Sequence, residues 1–229
     1  MHFKLSKDNL KEFFLMLGSV FMMGFALSLL VLTNFGTDPW SAMNYGITRT
    51  LVKFFGSSIS LFGLQIPITF GNYQVFINLL LLILIFFTYR TSIGFGTLGN
   101  MIVVGYTADF FSFIWHQVCR IPDTLPLAIR LLILIPGVLL FVFSAATYMH
   151  SGLGMAPYDS IPFLIDHVIE KKTGKSHFKI VRYTQDFFCT FIAFLLGGEY
   201  GLMTILMDLL LAPTVSFVGN LFKHPKENE

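Results

Sequence analysis

Apolar residues occupy six long windows of the chain, and polar residues are concentrated between them. The windows are residues 13–33, 73–90, 95–116, 127–148, 181–198 and 201–220. A helix needs roughly 20 mostly apolar residues to cross about 30 Å of hydrocarbon, so each window predicts a transmembrane helix. The fifth is the least apolar, because Arg182, Gln185 and Asp186 lie in its first two turns.

Two other segments have the spacing of amphipathic helices, with apolar residues three or four positions apart. The first helix is predicted over about 39–55, with the stripe Trp40, Met43, Ile47 and Leu51. The second is predicted over about 157–171, with the stripe Tyr158, Ile161, Ile165 and Ile169, each 118 residues further along the chain. This correspondence predicts that one unit is duplicated.

A shared phrase, Gly-x-x-Pro-aromatic, begins both amphipathic segments. Its glycines and prolines are Gly36 and Pro39 in the first copy and Gly154 and Pro157 in the second. Glycine permits a tight turn, and proline suits the first turn of a helix because its missing N–H would have no partner there. The phrase therefore predicts a helix break followed at once by a new helix.

Lysine and arginine are distributed unevenly between the flanks of the spans. With the N-terminus inside, the cytoplasmic flanks hold Lys4, Lys7, Lys11, Arg90, Lys171, Lys172, Lys175, Lys179, Arg182, Lys223 and Lys226, and the outer flanks hold Arg49, Lys53, Arg120 and Arg130. This bias of 11 to 4 follows the positive-inside rule. Both ends of the chain, including a tail at 221–229, are expected to face the cytoplasm.

The expected fold is an all-α polytopic membrane protein, with residues 1–229 in a single membrane domain. Its six transmembrane helices form two inverted three-span repeats, 13–116 and 127–220, because an odd number of spans turns the second copy upside down. Each repeat has an amphipathic or re-entrant helix after its first span. Two interpretations stay open: these helices lie flat at opposite interfaces with Trp40 and Tyr158 as anchors, or they fold inward and build a binding site.

Composition supports the membrane assignment. Hydrophobic residues make up 55% of the chain and charged residues 12%, and the mean hydropathy is +0.72. A soluble core of 229 residues could not bury so much apolar surface, so the lipid bilayer is the expected partner.

Acidic residues in or beside the apolar windows are candidate binding groups, because a charge at the centre of a transmembrane helix costs about 2.5–3.5 kcal/mol. Asp109 and Asp208 each lie seven residues from the outer end of their span. With Asp38 at the first break, they are expected to form an outward-facing vestibule for a proton or a cation. Alternatively, Asp109 and Asp208 are hydrated near helix ends or hydrogen-bonded to Asn100 or Thr107.

Charged residues at the second break have alternative roles as well. Asp159 is either a first-turn acid favoured by the helix dipole or a ligand for a substrate. Arg182 and Asp186, four residues apart, are expected to neutralise each other on one helix face. Asp38 is well placed to cap the first amphipathic helix, whereas Ala156 cannot cap the second.

A glycine-rich turn opens the third window, where Gly94, Gly96 and Gly99 have the spacing of a dinucleotide-binding loop. No strand precedes them and an apolar span follows, so the segment is interpreted as a site of close helix packing. The turn is repeated in weaker form at Gly201 and Thr204, 107 residues further on. Residues 94–97 and 201–204 are called the glycine–threonine turns below.

A family resemblance is carried by residues 154–159, by residues 94–100 and by the later Gly105, Tyr106, Asp109 and Phe110. In these residues the chain resembles the bacterial YczE/YyaS/YitT-type integral membrane proteins, most of all the YczE-like ones. The resemblance covers about residues 15–218. It implies a multi-pass protein of the bacterial cytoplasmic membrane and supplies no substrate. The first copy departs from the family phrase, because Asp38 precedes the proline and Ser41 follows the aromatic residue.

Paired helix breaks and buried acids are typical of small secondary transporters, or permease-like proteins, that move a small solute by alternating access. The candidate residues for the solute or ion are Asp38, Trp40, Asn100, Asp109, Tyr158, Asp159 and Asp208. The alternative is a non-transporting accessory or scaffold protein that binds lipid or a membrane partner.

An enzyme is not expected, because the histidines near the loops lack metal-ligand spacing and no activated nucleophile is evident. No cofactor, metal or nucleic acid is expected, and without a Walker loop ATP is not the direct energy source. Self-association into a homo-oligomer stays open.

Overall fold

Helices make up most of the computed structural model, which describes residues 7–61, 63–88, 90–207 and 209. In chain order they are α1 (Lys7–Thr33), α2 (Pro39–Phe55), α3 (Phe70–Thr88), α4 (Phe95–Gly99), α5 (Gly105–Phe113), α6 (Leu127–His150), α7 (Pro157–Thr173) and α8 (Phe178–Leu196). A 3₁₀ turn at Arg90–Ser92 precedes α4, and π-helical turns at Asn100–Val104 and Ile114–Val118 follow α4 and α5. Residues 202–207 are helical as well.

Within the described residues, four helical segments are long and apolar enough to cross a membrane. They are Leu10–Thr33, Phe70–Thr88, Phe95–Val118 and Leu127–His150, and they match the first four predicted windows to within about three residues. Helix α8 fills the fifth window, but charged residues near its start keep it out of this set. The sixth window lies mostly outside the described residues, as do Asp208 and the tail at 221–229.

A short β-hairpin between α2 and α3 departs from the all-α expectation. Strands β1 (Ser58–Leu61) and β2 (Leu64–Pro67) are antiparallel, with Ser58 opposite Pro67. Gly63, in the connection, has a φ of +82°, which glycine adopts without a steric penalty. Apolar residues alternate with polar ones in β1, which is the period of a strand and not of a helix.

The helices pack as two connected groups. Helix α1 lies along α6 and also contacts α5, and the main apolar core between them includes Val20, Leu27 and Tyr148. Helix α2 lies along α8, and α7 contacts both α3 and α8. A smaller apolar cluster that includes Ala42 and Ala193 joins this second group.

Both predicted helix breaks are confirmed. Helix α2 begins at Pro39 and α7 begins at Pro157. The Asp38 carboxylate caps α2 by accepting a hydrogen bond from the Ser41 N–H at 3.1 Å, whereas Ala156 caps α7 without a side-chain bond. The predicted boundary at 55 is confirmed, and α7 extends two residues beyond the predicted 171.

Each break docks on the glycine–threonine turn of the other half of the chain. At the first break, the Met203 N–H donates to the Phe35 carbonyl at 3.0 Å. At the second, the Gly96 N–H donates to the Leu153 carbonyl at 2.7 Å. The glycine-rich turn is therefore a site of close approach, but at Gly94 and Gly96 the neighbour is the second break and not another helix. The two junctions have corresponding contacts.

Candidate functional site

A cavity of about 520 Å³ lies where the two helix breaks meet. The start of α2 contributes Asp38 and Trp40 to its wall, and the start of α7 contributes Tyr158 and Asp159. Pockets for small molecules in proteins usually measure about 300–1,000 Å³, so the cavity is large enough for a metabolite. It is the candidate functional site.

The aromatic residues of the two breaks pack face to face. The ring centroids of Trp40 and Tyr158 are 4.4 Å apart, with planes inclined by 22°. Tyr158 is buried and Trp40 is half-buried. One face of each ring therefore contacts the other ring. This contact is expected if α2 and α7 fold inward, and it is not expected if the two rings are separate anchors at opposite interfaces.

Arg182 joins two carboxylates in the wall of the cavity. Its Nη1 lies 3.0 Å from Asp159 Oδ1, and its Nε lies 2.9 Å from Asp186 Oδ2. The pair with Asp186 confirms the sequence prediction. Arg182 and Asp159 are 23 residues apart along the chain, so helical spacing alone could not predict that they form a pair.

Two tyrosine hydroxyls complete this cluster, which we call the Arg182 cluster. Tyr148 donates a hydrogen bond to Asp159, and Tyr158 donates one to Asp186. The Arg182 guanidinium also lies 5.2 Å from the centre of the Tyr158 ring. Because Arg182 already serves two carboxylates, the cluster is poorly suited to bind an anion.

Asp38 stands apart from the Arg182 cluster. Its Oδ2 accepts the capping hydrogen bond from Ser41, but its Oδ1 is buried and has no hydrogen-bond partner among the described residues. Burial raises the pKa of the Asp38 carboxyl to about 6, although the hydrogen bonds from Ser41 oppose the rise. The charges of Asp159 and Asp186 contribute a smaller part of this rise. Asp38 can therefore exchange a proton near neutral pH.

Two amide side chains supply further polar groups. Asn100, a predicted site residue, lies at the start of the first π-helical turn and lines the cavity. Gln74 of α3 also lines it, is only 3% exposed, and has no partner for its Oε1 in the described part of the chain. Sequence reasoning missed Gln74, since one glutamine near the end of an apolar window is a weak signal.

Asp109, another of the predicted acids, is not among the residues that line this cavity. Asp109 lies outside the cavity wall, where its Oδ2 accepts a hydrogen bond from the Gly71 N–H at 2.8 Å. This partner is neither Asn100 nor Thr107, the two that were considered. Asp208 lies outside the described residues.

An ion pair that the sequence did not indicate links α2 to the connection after α8. Arg49 binds the buried carboxylate of Glu199 and also donates to the Gly197 carbonyl at 2.9 Å. The Thr37 N–H donates to the Glu199 carbonyl at 2.9 Å. These contacts hold the first break against the second half of the chain.

Comparison with known proteins gives a family and relatives without an assigned activity. The model of a family of unknown function, DUF6198, matches residues 10–220. The uncharacterised membrane protein YczE of Bacillus subtilis (strain 168) is 29% identical over 175 residues, which cover 76% of this chain and 69% of the relative. An uncharacterised protein of Haemophilus influenzae (strain Rd) is 25% identical over 211 residues, which cover 92% of this chain and 84% of the relative. No solved structure matches.

Proposed function

We propose, from the premise that this multi-pass membrane protein belongs to the DUF6198 family of unknown function, that it is a small secondary transporter. It would move a small solute across the membrane by alternating access. The observation that carries the proposal is the cavity at which the two breaks, one from each half of the chain, meet. Transporters built from inverted repeats bind their substrates between the repeats in this way.

The proposed architecture has six spans in two inverted repeats. Its support is the correspondence between the two junctions: α2 packs on α8 and α7 packs on α3, and each break docks on the other half's glycine–threonine turn. The bias of lysine and arginine supports cytoplasmic termini in a bacterial cytoplasmic membrane. No catalytic step is proposed.

Cysteine labelling tests the inverted arrangement. Ser57→Cys, before the hairpin, is expected to react with an impermeant maleimide added to intact cells, because the proposal places it outside. Lys175→Cys, between α7 and α8, should react only after permeabilisation. Both residues are exposed, and both variants carry Cys119→Ser because Cys119 is exposed. Labelling of both positions from the same side would contradict the inverted repeats.

Transport itself is tested with purified protein in liposomes that contain a pH-sensitive dye. Adding a transported solute should change the internal pH, because Asp38 is proposed to exchange its proton for the solute. A screen of amines, amino acids, sugars and organic acids should find one responsive class. The response should weaken well below pH 6, the region of the Asp38 pKa, because the carboxyl then keeps its proton.

The control for this experiment separates charge from helix capping. Asp38→Asn should abolish the response and leave α2 intact, since asparagine caps helices about as well as aspartate does. Asp123→Asn removes a carboxylate whose side chain is 97% exposed and should respond like the unaltered protein. If no solute class produces a response, transport is contradicted and the accessory or scaffold role becomes the better account.

A further inference from the structure

Two hydrogen-bond acceptors in the cavity wall have no donor. Asp38 Oδ1 and Gln74 Oε1 are both buried, and neither has a partner within the described part of the chain. They come from different helices, since Asp38 caps α2 and Gln74 lies in the first turns of α3. Buried acceptors are nearly always paired in folded proteins, so both favour a ligand that brings donors.

The charges around the cavity favour a cation. Among the described residues that line it, the carboxylates are Asp38, Asp159 and Asp186, and the cationic groups are Lys179 and Arg182. Arg182 is held by two of the carboxylates, and Lys179 is exposed. Asp38 has no ion-pair partner in the described structure, so a positively charged ligand would complement it.

Another part of the cavity wall is aromatic and accessible. The rings of Phe163 and Phe178 pack with centroids 4.4 Å apart, and Tyr183 also lines the wall. Phe163 is 37% exposed and Tyr183 is 45% exposed. These rings can contact the apolar body of a ligand whose charged group lies at Asp38.

We propose that the cavity binds a protonated primary amine with an aromatic body. Its ammonium group donates to Asp38 Oδ1 and Gln74 Oε1, and its body contacts Phe163 and Phe178. A quaternary ammonium has the same charge but no N–H, so it leaves both Asp38 Oδ1 and Gln74 Oε1 without a hydrogen-bond donor. This proposal names the substrate class of the transporter proposed above. Transport of the amine rests on that proposed function, whereas binding of the amine does not.

The experiment compares four probes of similar shape on the purified full chain in detergent. Phenethylamine is the expected ligand. The probe 2-phenylethanol lacks the charge, and 3-phenylpropionate carries the opposite charge. The probe trimethyl(2-phenylethyl)ammonium keeps the positive charge but has no N–H groups. Calorimetric titration should give the tightest binding for phenethylamine. The quaternary probe should bind more weakly, and the alcohol and the carboxylate should bind least.

Three variants assign the binding to the proposed atoms. Asp38→Asn and Gln74→Leu are each expected to weaken phenethylamine binding at least about tenfold, in the range of a lost charge-assisted hydrogen bond. Gln74→Leu should also reduce the preference for the primary amine over the quaternary probe, because only Asp38 Oδ1 then accepts an N–H that the quaternary probe lacks. Asp123→Asn should leave the affinity unchanged, because this carboxylate is exposed and outside the cavity.

The outcomes separate this proposal from the proposed function. Phenethylamine binding that depends on Asp38, without any solute response in liposomes, would support the amine site and contradict transport. A liposome response to another solute class, with no amine binding, would support transport and overturn the amine site. Equal binding of the four probes, tighter binding of the carboxylate, or an unchanged affinity in Asp38→Asn would also overturn it.

Discussion

Arg182→Met is expected to destabilise the protein by about 3–5 kcal/mol, the usual effect of removing one partner from a buried ion pair. The side chains of Arg182, Asp159 and Asp186 are 17%, 14% and 8% exposed, so water can screen the remaining charges only weakly. Methionine fills much of the same volume and isolates the loss of the cation. Thermal unfolding of the purified protein in detergent measures the effect.

A triple variant tests the cause of this destabilisation. When Arg182→Met is combined with Asp159→Asn and Asp186→Asn, no uncompensated charge remains, and most of the lost stability should return. The new amide oxygens can still accept hydrogen bonds from Tyr148 and Tyr158. Lys171→Met, on an exposed position of α7, is the control and should unfold like the unaltered protein. A triple variant no more stable than Arg182→Met would contradict the electrostatic explanation.

Alanine at the glycine of either break should destabilise the protein by about 2–5 kcal/mol, the sum of backbone strain and overpacking. Gly36 and Gly154 have φ values of +104° and +105°. A Cβ at Gly154 would lie 2.5 Å from the Gly94 nitrogen, and one at Gly36 would lie 2.5 Å from Thr204 Oγ1. Neither neighbour can move away easily, because both belong to the turns on which the breaks dock.

Gly18→Ala is the matched control for these variants. Gly18 lies inside α1, and a Cβ added there would meet no atom within 4 Å. Alanine should therefore stabilise the helix slightly, by up to about 1 kcal/mol. Unfolding curves of the three alanine variants measure the difference. If Gly36→Ala and Gly154→Ala unfold like Gly18→Ala, then the close approach at the two junctions does not contribute to stability.

The sequence by itself determined the features that depend on neighbouring residues. These features are the helix starts at Pro39 and Pro157, the cap from Asp38 and the first four long apolar helices. All of them follow from local sequence, because the hydrophobic period, proline and capping residues act within one or two helical turns. The pair of Arg182 with Asp186 belongs to the same group, since residues four apart on a helix are neighbours. Of the candidate binding residues named from the sequence, those that line the cavity are Asp38, Trp40, Asn100, Tyr158 and Asp159; their role in binding stays a prediction.

Only the tertiary structure decided which of these residues meet. It brings together Trp40 and Tyr158, which are 118 residues apart, and it pairs Asp159 with Arg182 across two helices. It also places the side chain of Asp109, from α5, against the start of α3 and outside the cavity that Gln74 lines. The physical reason is that helical period fixes the face on which a side chain lies, whereas the packing of α2, α3, α7 and α8 fixes what that face contacts.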